Sequence, residues 1–264
     1  MTAGGGRFEA LVKVAASQVQ ALRLRNLERI FAHSPGTLSY DQRKGLANSF
    51  ARVGKEIALS HSPGELLFIA ARVLSSSVKG PVVECGCYLG ASTAKLSMVA
   101  KLTGRSLFAC DTFEGLPGDA KHASYHHVDG RARRFEAGEY AGSLEIVRGN
   151  VERYGALEMC TFVRGLFQDT LPQLNVDPAF VFMDVDYVSS ARDCLKNLWP
   201  RLRPGGYFFT HEAGFIEYVE GITDGRWWHE NLGQCPPPTL WSWIRHWFNV
   251  SLSGLLSQAY RVTG

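Results

Sequence analysis

From Phe8 to Phe31 the apolar residues Leu11, Val12, Ala15, Val19, Leu22 and Ile30 recur at helical spacing with Arg and Lys between them, which predicts a basic amphipathic helix or pair of helices. A second helical block, Tyr40 to Leu59, leads into "HSPGELLFIAARVLSS", where Ser62-Pro63 reads as an N-cap followed by proline at the first helical position. Beyond Gly80 the rhythm changes. "PVVEC" (81–85), "SLFACDTF" (106–113), "TFVRGLF" (161–167), "AFVFMDVD" (179–186) and "GYFFTHEA" (206–213) are short apolar runs rich in Val and Phe. Helical stretches at Ala91–Leu102, Leu144–Tyr154 and Ser189–Leu202 separate most of them. Buried strands alternating with helices predict βαβ units, hence an α/β fold with a doubly wound, mostly parallel sheet covered on both faces. We place an N-terminal helical extension at residues 1–60 and the α/β domain at 61–264, with an insertion at about 116–142.

Ligands of such sheets sit beyond the carboxyl ends of the strands. The residues there are Glu84-Cys85-Gly86, Asp111, Phe167-Gln168-Asp169, Asp184 to Asp186 and His211-Glu212, and many are acidic or otherwise polar, which packing alone does not require. The 116–142 segment is charged and aperiodic, as expected of a functional loop or lid. Its His122, His126 and His127 lack a companion carboxylate pattern and read as exposed side chains rather than metal ligands. The aromatic C-terminal part, "WWHE" and "CPPPTLWSWIRHWF", suits packing or a subunit interface at least as well as a substrate pocket, and the last residues suit an edge strand.

Composition narrows the classes. With 45% hydrophobic and 20% charged residues, the chain is an ordinary globular protein with a core. A net charge of +3, without clustered arginines or interleaved aromatics, argues against nucleic acid as a partner. The six cysteines form no CxxC pair and several lie in apolar runs, which fits buried thiols in a reducing compartment. No secretory signal and no membrane span is read, so a cytoplasmic location is expected. The amphipathic N-terminus makes a homodimer an expectation.

The turn after the first strand, Glu84-Cys85-Gly86-Cys87-Tyr88-Leu89-Gly90, is looser than a dinucleotide GxGxxG fingerprint, and Cys87 and Tyr88 would crowd a pyrophosphate. A ligand without phosphates fits better. Asp111, ending the next strand, is placed to accept two ribose hydroxyls. With Glu84, this points to an adenosine ligand carrying a positive amino-acid tail, which S-adenosyl-L-methionine satisfies.

Three longer motifs, "DTFEGLP" (111–117), "RGLFQDTLP" (164–172) and "FMDVDYVSSARDCLKNLWPRLRPGGYFF" (182–209), resemble the macrocin O-methyltransferase (TylF/MycF) family, and "FEAGEYAGSLEIVRGNVERYG" (135–155) is similar to its helical insertion. A more distant likeness, to catechol-type metal-dependent O-methyltransferases, lies in "VECGCYLGAS" and "FQDTLPQL". The resemblance covers roughly Gly80 to Glu212. It implies a class I methyltransferase in which Glu84, Gly86 and Gly90 border the methionine part of the donor, with Tyr88 and Ser92 counted in the same turn. Asp111 then binds the ribose, Phe113 and the Phe167-Gln168 pair flank adenine, and Gln168 or Asp169 meets its exocyclic amine. Asp169 has the competing reading of a helix N-cap. The resemblance also implies a divalent metal, normally magnesium, with Asp184 a ligand and Asp186 the general base. Asp184 and Asp186 share one side of the alternation, so they repel unless a cation lies between them or one is protonated. Where the family has two aspartates this chain has His211-Glu212. Glu212 then ligates magnesium with His211 outside, or the site has changed its metal, or the metal is gone and His211 is itself the base. The implied activity is methyl transfer to a hydroxyl of a small molecule, a sugar or phenol of a glycosylated natural product. The alternatives are an altered methyltransferase fold serving as a binding module and a nicotinamide-dependent oxidoreductase.

Overall fold

The structure, a computed structural model, describes residues 26–33, 38–61, 63–118, 124–237 and 258–261. The N-terminal amphipathic stretch before residue 26, on which the dimer expectation rests, the Ser62 cap, His122 and most of the "PPPTLWSWIRHWF" segment lie outside the described residues.

A six-stranded sheet of order β5-β2-β1-β6-β7-β8 forms the centre. Its strands are β1 (Val82–Cys85), β2 (Leu107–Asp111), β5 (Cys160–Arg164), β6 (Phe180–Met183), β7 (Tyr207–Thr210) and β8 (Gln258–Arg261). All neighbours run parallel except β8, which closes the edge antiparallel to β7 as the expected terminal strand. The period-two alternation of side chains explains how both faces are apolar. Val82, Leu107, Phe180, Phe182 and Phe209 point to one face, where α1 (Tyr40–Glu56), α2 (Pro63–Ser75) and α3 (Ala91–Thr103) cover them. Val83, Cys85, Cys110, Val181, Met183 and Phe208 point to the other, under α6 (Val188–Leu198), α7 (Ile216–Ile222) and α8 (Gly225–Leu232). The helix α4 (Leu144–Tyr154) packs Val147 and Val151 beside Ala91 and Ala94 of α3. A one-turn α5 (Phe167–Thr170) follows β5.

Local chemistry sets the helix ends. Ser39 and Gln42 form a reciprocal capping box at the start of α1, and Asp224 caps α8 through the N–H groups of Arg226 and Trp227. No boundary in the packing marks residue 60: Leu46, Ala47 and Phe50 of α1 share a cluster with strand residues Val82 and Phe182, so α1 is part of the α/β core.

The 116–142 segment departs from a structureless loop. It holds an antiparallel hairpin, β3 (Ser124–His126) and β4 (Ala132–Arg134), whose end docks through a bridge between His127 and Phe215. His126 is exposed as expected, but both its N–H and Nδ1 engage Glu217 at 2.6 and 2.5 Å, tying the hairpin to α7. The tryptophan pair packs instead of lining a pocket: Trp228 is buried, donates Nε1–H to the carbonyl of Ile222 at 2.7 Å and meets Trp199 edge-on. Every cysteine is free, and Cys85, Cys87, Cys110 and Cys194 are buried. No helix among the described residues is long and apolar enough to cross a membrane.

Candidate active site

The strand order reverses its direction of growth between β1 and β6, and a crevice opens there at the carboxyl ends of the strands. Gly86 makes the crevice possible. Its φ is 93°, and a Cβ at this position would overlap the backbone carbonyl of Asp184, so only glycine lets the exits of β1 and β6 lie this close. The chain next passes Tyr88, with φ 48°, and reaches Gly90, which starts α3 in a left-handed conformation.

A narrow cleft of about 50 Å³ is lined by Gly86, Tyr88, Asp111, Thr112, Phe167, Asp184 and Asp186, among others. Asp111 is anchored from behind: the N–H of Cys87 donates to one carboxylate oxygen at 2.6 Å and the N–H of Phe113 to the other at 2.8 Å. Burial raises its pKa and these N–H groups pull it back. The Thr112 hydroxyl lies 3.3 Å from the oxygen that Phe113 holds, which leaves the oxygen held by Cys87 the more open of the two to a further donor.

A second cavity of about 280 Å³ is lined by His127, Arg131 and Arg133 of the hairpin region, by Phe135, Tyr140 and Phe215, and by His211. It shares Ser60, Tyr140, Asp184 and Asp186 with the cleft. The two spaces therefore meet at the acids. Asp184 accepts from the Ser60 hydroxyl at 3.0 Å, and burial pushes its pKa up to about 7 although His211 opposes this. Asp186, at φ 58°, is raised well above the usual carboxylate range by burial and by the neighbouring charges of Glu212 and Asp184. Glu212 accepts from the N–H groups of Val185 and Asp186 at 2.7 and 2.9 Å and from the Thr210 hydroxyl at 2.8 Å. One oxygen from each of Asp184, Asp186 and Glu212 lies within 4.8 Å of the others. Three carboxylates this close, Glu212 buried and the two aspartates partly so, repel one another, and an all-oxygen set suits a hard divalent cation such as magnesium.

His211 stands apart from that set. Its Nδ1 lies 3.0 and 3.1 Å from the two carboxylate oxygens of Glu65, which is itself buried at the start of α2. Burial disfavours the charged imidazole, but the negative charges of Glu65 and Asp184 outweigh it and hold His211 well above its ordinary range. In this geometry His211 lies outside the Asp184–Asp186–Glu212 group, and its Nδ1 is held by a buried carboxylate on another element.

Other expected residues divide. Gly86, Tyr88, Asp111, Phe167, Asp184 and Asp186 border the cleft, and His211 borders the second cavity. Glu84 does not. It has the same parity on β1 as Val82, so its side chain enters the α1–α3 face and is fully buried. Burial raises its carboxyl to about 8. Ser92 and Phe113 are buried behind the cleft, while Gln168 and Asp169 are exposed and border neither space. Asp169 is the third residue of α5, whose N-cap is Leu166, so it is not a cap either. Sequence reasoning missed Ser60, Glu65, Tyr140 and the hairpin arginines. Among the described residues four non-glycines have positive φ (Tyr88, Phe113, Tyr140 and Asp186), and three of them line the cleft. Such strain collects at functional sites.

A sheet of this order with its crevice at the switch point, a carboxylate at the end of β2 and acids after β6 defines the class I methyltransferase fold. The structure of the O-methyltransferase NovP superposes on it with a TM-score of 0.57 at 21% identity, over 93% of this chain and 100% of that one. Residues 48–226 match the macrocin-O-methyltransferase (TylF) family, and the chain belongs to that family. It is 38% identical over 167 residues to the 8-demethyl-8-(2,3-dimethoxy-alpha-L-rhamnosyl)-tetracenomycin-C 4'-O-methyltransferase of Streptomyces olivaceus, covering 61% of this chain and 63% of that protein. It is 32% identical over 140 residues to the demethyldecarbamoylnovobiocin O-methyltransferase of Streptomyces niveus, covering 51% and 53%. The match spans less than two thirds of each relative's length.

Proposed function

We propose that this protein transfers a methyl group from S-adenosyl-L-methionine to a hydroxyl of a small molecule, a sugar or phenol of a glycosylated natural product, with a divalent cation assisting. The observation that carries the reading is the meeting of two cavities at Asp184 and Asp186, one of them walled by the doubly anchored Asp111. Family membership and the named substrates of the two relatives support the chemistry and the acceptor class. The donor supplies an electrophilic methyl on a sulfonium centre.

Asp111 accepts hydrogen bonds from the ribose hydroxyls, and the backbone N–H groups behind it keep its carboxylate from swinging away. Gly86 lets the exits of β1 and β6 lie together and itself borders the cleft, so the donor meets backbone there. In the second cavity Phe135, Tyr140 and Phe215 offer flat faces to a sugar or aromatic ring, which directs one hydroxyl to the acids. Asp184, Asp186 and Glu212 would hold the cation, whose charge would stabilise the acceptor as an alkoxide or phenolate. Asp186 takes the hydroxyl proton as the oxygen attacks the sulfonium methyl, and the carbon–sulfur bond breaks to leave S-adenosylhomocysteine. In-line displacement needs little else beyond positioning and exclusion of water. Titration calorimetry with S-adenosylmethionine and with NAD tests the reading: binding of the first without the second is expected, and NAD binding alone would replace methyl transfer with an oxidoreductase.

A further inference from the structure

Glu65 was not among the residues expected to matter, yet it is 3% exposed and faces a residue of the second cavity. Its carboxylate holds His211 Nδ1 at 3.0 Å through one oxygen and 3.1 Å through the other. Lys95 of α3, 1% exposed, places its Nζ 3.0 Å from His61 Nε2 and feels the charge of Glu65. Glu65 thus meets His211 directly and lies within the electrostatic reach of Lys95. His211 follows Thr210 and precedes Glu212, and its backbone N–H donates to the carbonyl of Met183 at 2.9 Å, which places the residue beside the acid group. None of its nitrogens is within common reach of two of those acids. The chain thus has an imidazole next to a carboxylate site and a separate carboxylate that turns the imidazole aside.

We propose that Glu65 is a positioning residue that sets metal selectivity: by holding the His211 ring it keeps nitrogen out of the Asp184–Asp186–Glu212 set and reserves that set for hard, oxygen-seeking cations. The proposal rests on the divalent-cation part of the proposed function. Carboxylate oxygens suit magnesium and manganese, whereas an added imidazole favours zinc, nickel and copper over them. Groups behind the ligands fix which atoms a metal meets, and removing them changes affinity by about tenfold to a hundredfold. Here the same device works in reverse, as an exclusion.

The test uses the full chain and metal salts alone, so it needs no acceptor. Mn²⁺ is titrated into wild type, Glu65→Ala, Glu65→Gln, His211→Ala and the double variant Glu65→Ala/His211→Ala. Free Mn²⁺ is followed by electron paramagnetic resonance, ¹⁴N coupling on bound Mn²⁺ by its pulsed form, and Zn²⁺ by competition. Wild type is expected to bind Mn²⁺ without nitrogen coupling, and His211→Ala to lose less than the roughly tenfold that removal of a group supporting the metal would cost. Glu65→Ala is expected to gain nitrogen coupling and to shift the Zn²⁺/Mn²⁺ affinity ratio toward zinc by about tenfold or more, with both effects lost in the double variant. If burial makes Glu65→Ala misfold, Glu65→Gln keeps the volume, removes the charge and should shift the ratio in the same direction by a smaller factor. Nitrogen coupling in wild type, a tenfold loss of Mn²⁺ affinity in His211→Ala, or an unchanged ratio in the folded Glu65 variants overturns the proposal while leaving the cation in place. Absence of Mn²⁺ binding to wild type overturns the proposal together with the cation reading, and donor affinity then shows whether methyl transfer survives it.

Discussion

The cleft at β1 and β2 is shaped by backbone, whereas the cavity beyond β6 and β7 is shaped by side chains gathered from distant parts of the chain. On the first side, Gly86 allows two strand exits to touch and two N–H groups fix Asp111. On the second, Ser60, the β3–β4 hairpin region and the segment after β7 all supply groups around Asp184 and Asp186, and Glu65 holds one of them, His211. A backbone-built site has little freedom to vary without breaking the sheet. A side-chain-built site can change with every substitution, which suits a family whose donor is common and whose acceptors differ.

The comparison predicts that damage on one side leaves the other intact. The largest effect is expected from Asp186→Asn, which removes the base together with one carboxylate of the cation set: kcat should fall by about 10²–10⁴ while the donor dissociation constant holds, measured by single-turnover transfer and calorimetry. A fully active Asn variant would remove Asp186 from the mechanism.

Next comes Glu84, the acid that lies behind the cleft instead of in it. The unfolded chain releases this proton near 4.5 and the folded protein keeps it to about 8, so the folded state binds more protons between these values. Stability from this group is present below that window and is lost as pH rises through it, by at most a few kcal/mol. Glu84→Gln should flatten the denaturation midpoint against pH and leave donor affinity unchanged; a loss of donor affinity would return Glu84 to the cleft.

Asp111→Ala should weaken S-adenosylmethionine by about tenfold to a hundredfold, the value of one or two hydrogen bonds to a charged acceptor, without altering acceptor KM. The smallest effect is expected of Arg133→Gln. Arg133 is half-exposed, pairs with Glu139 at 2.9 Å and lies over the Phe135 ring, so acceptor KM alone should move, by about twofold to fivefold.

Legibility in the sequence follows the same division. The strands could be read because Val82-Val83 and Phe180 to Met183 alternate between two buried faces. Asp111 and Gly86 could be read because strand ends are where such sheets bind ligands. Glu84 was misplaced because position at a strand end outweighed parity, which sends it under the helices with Val82. Glu65 was hidden because a carboxylate in the first turn of an apolar helix already has an ordinary reading as a partner of the helix dipole. The hairpin was hidden because strands of three residues are too short to show alternation. The left-handed backbone at Tyr88 and Asp186 has no sequence signal, since bulky residues rarely adopt it.

A crystal structure of the full chain with S-adenosylhomocysteine tests the central claim most directly. The account predicts ribose hydroxyls on the two oxygens of Asp111, backbone of the Gly86 turn against the amino-acid part, and sulfur directed to the junction marked by Asp184 and Asp186. A ligand bound elsewhere, with Asp111 left facing water, would contradict it.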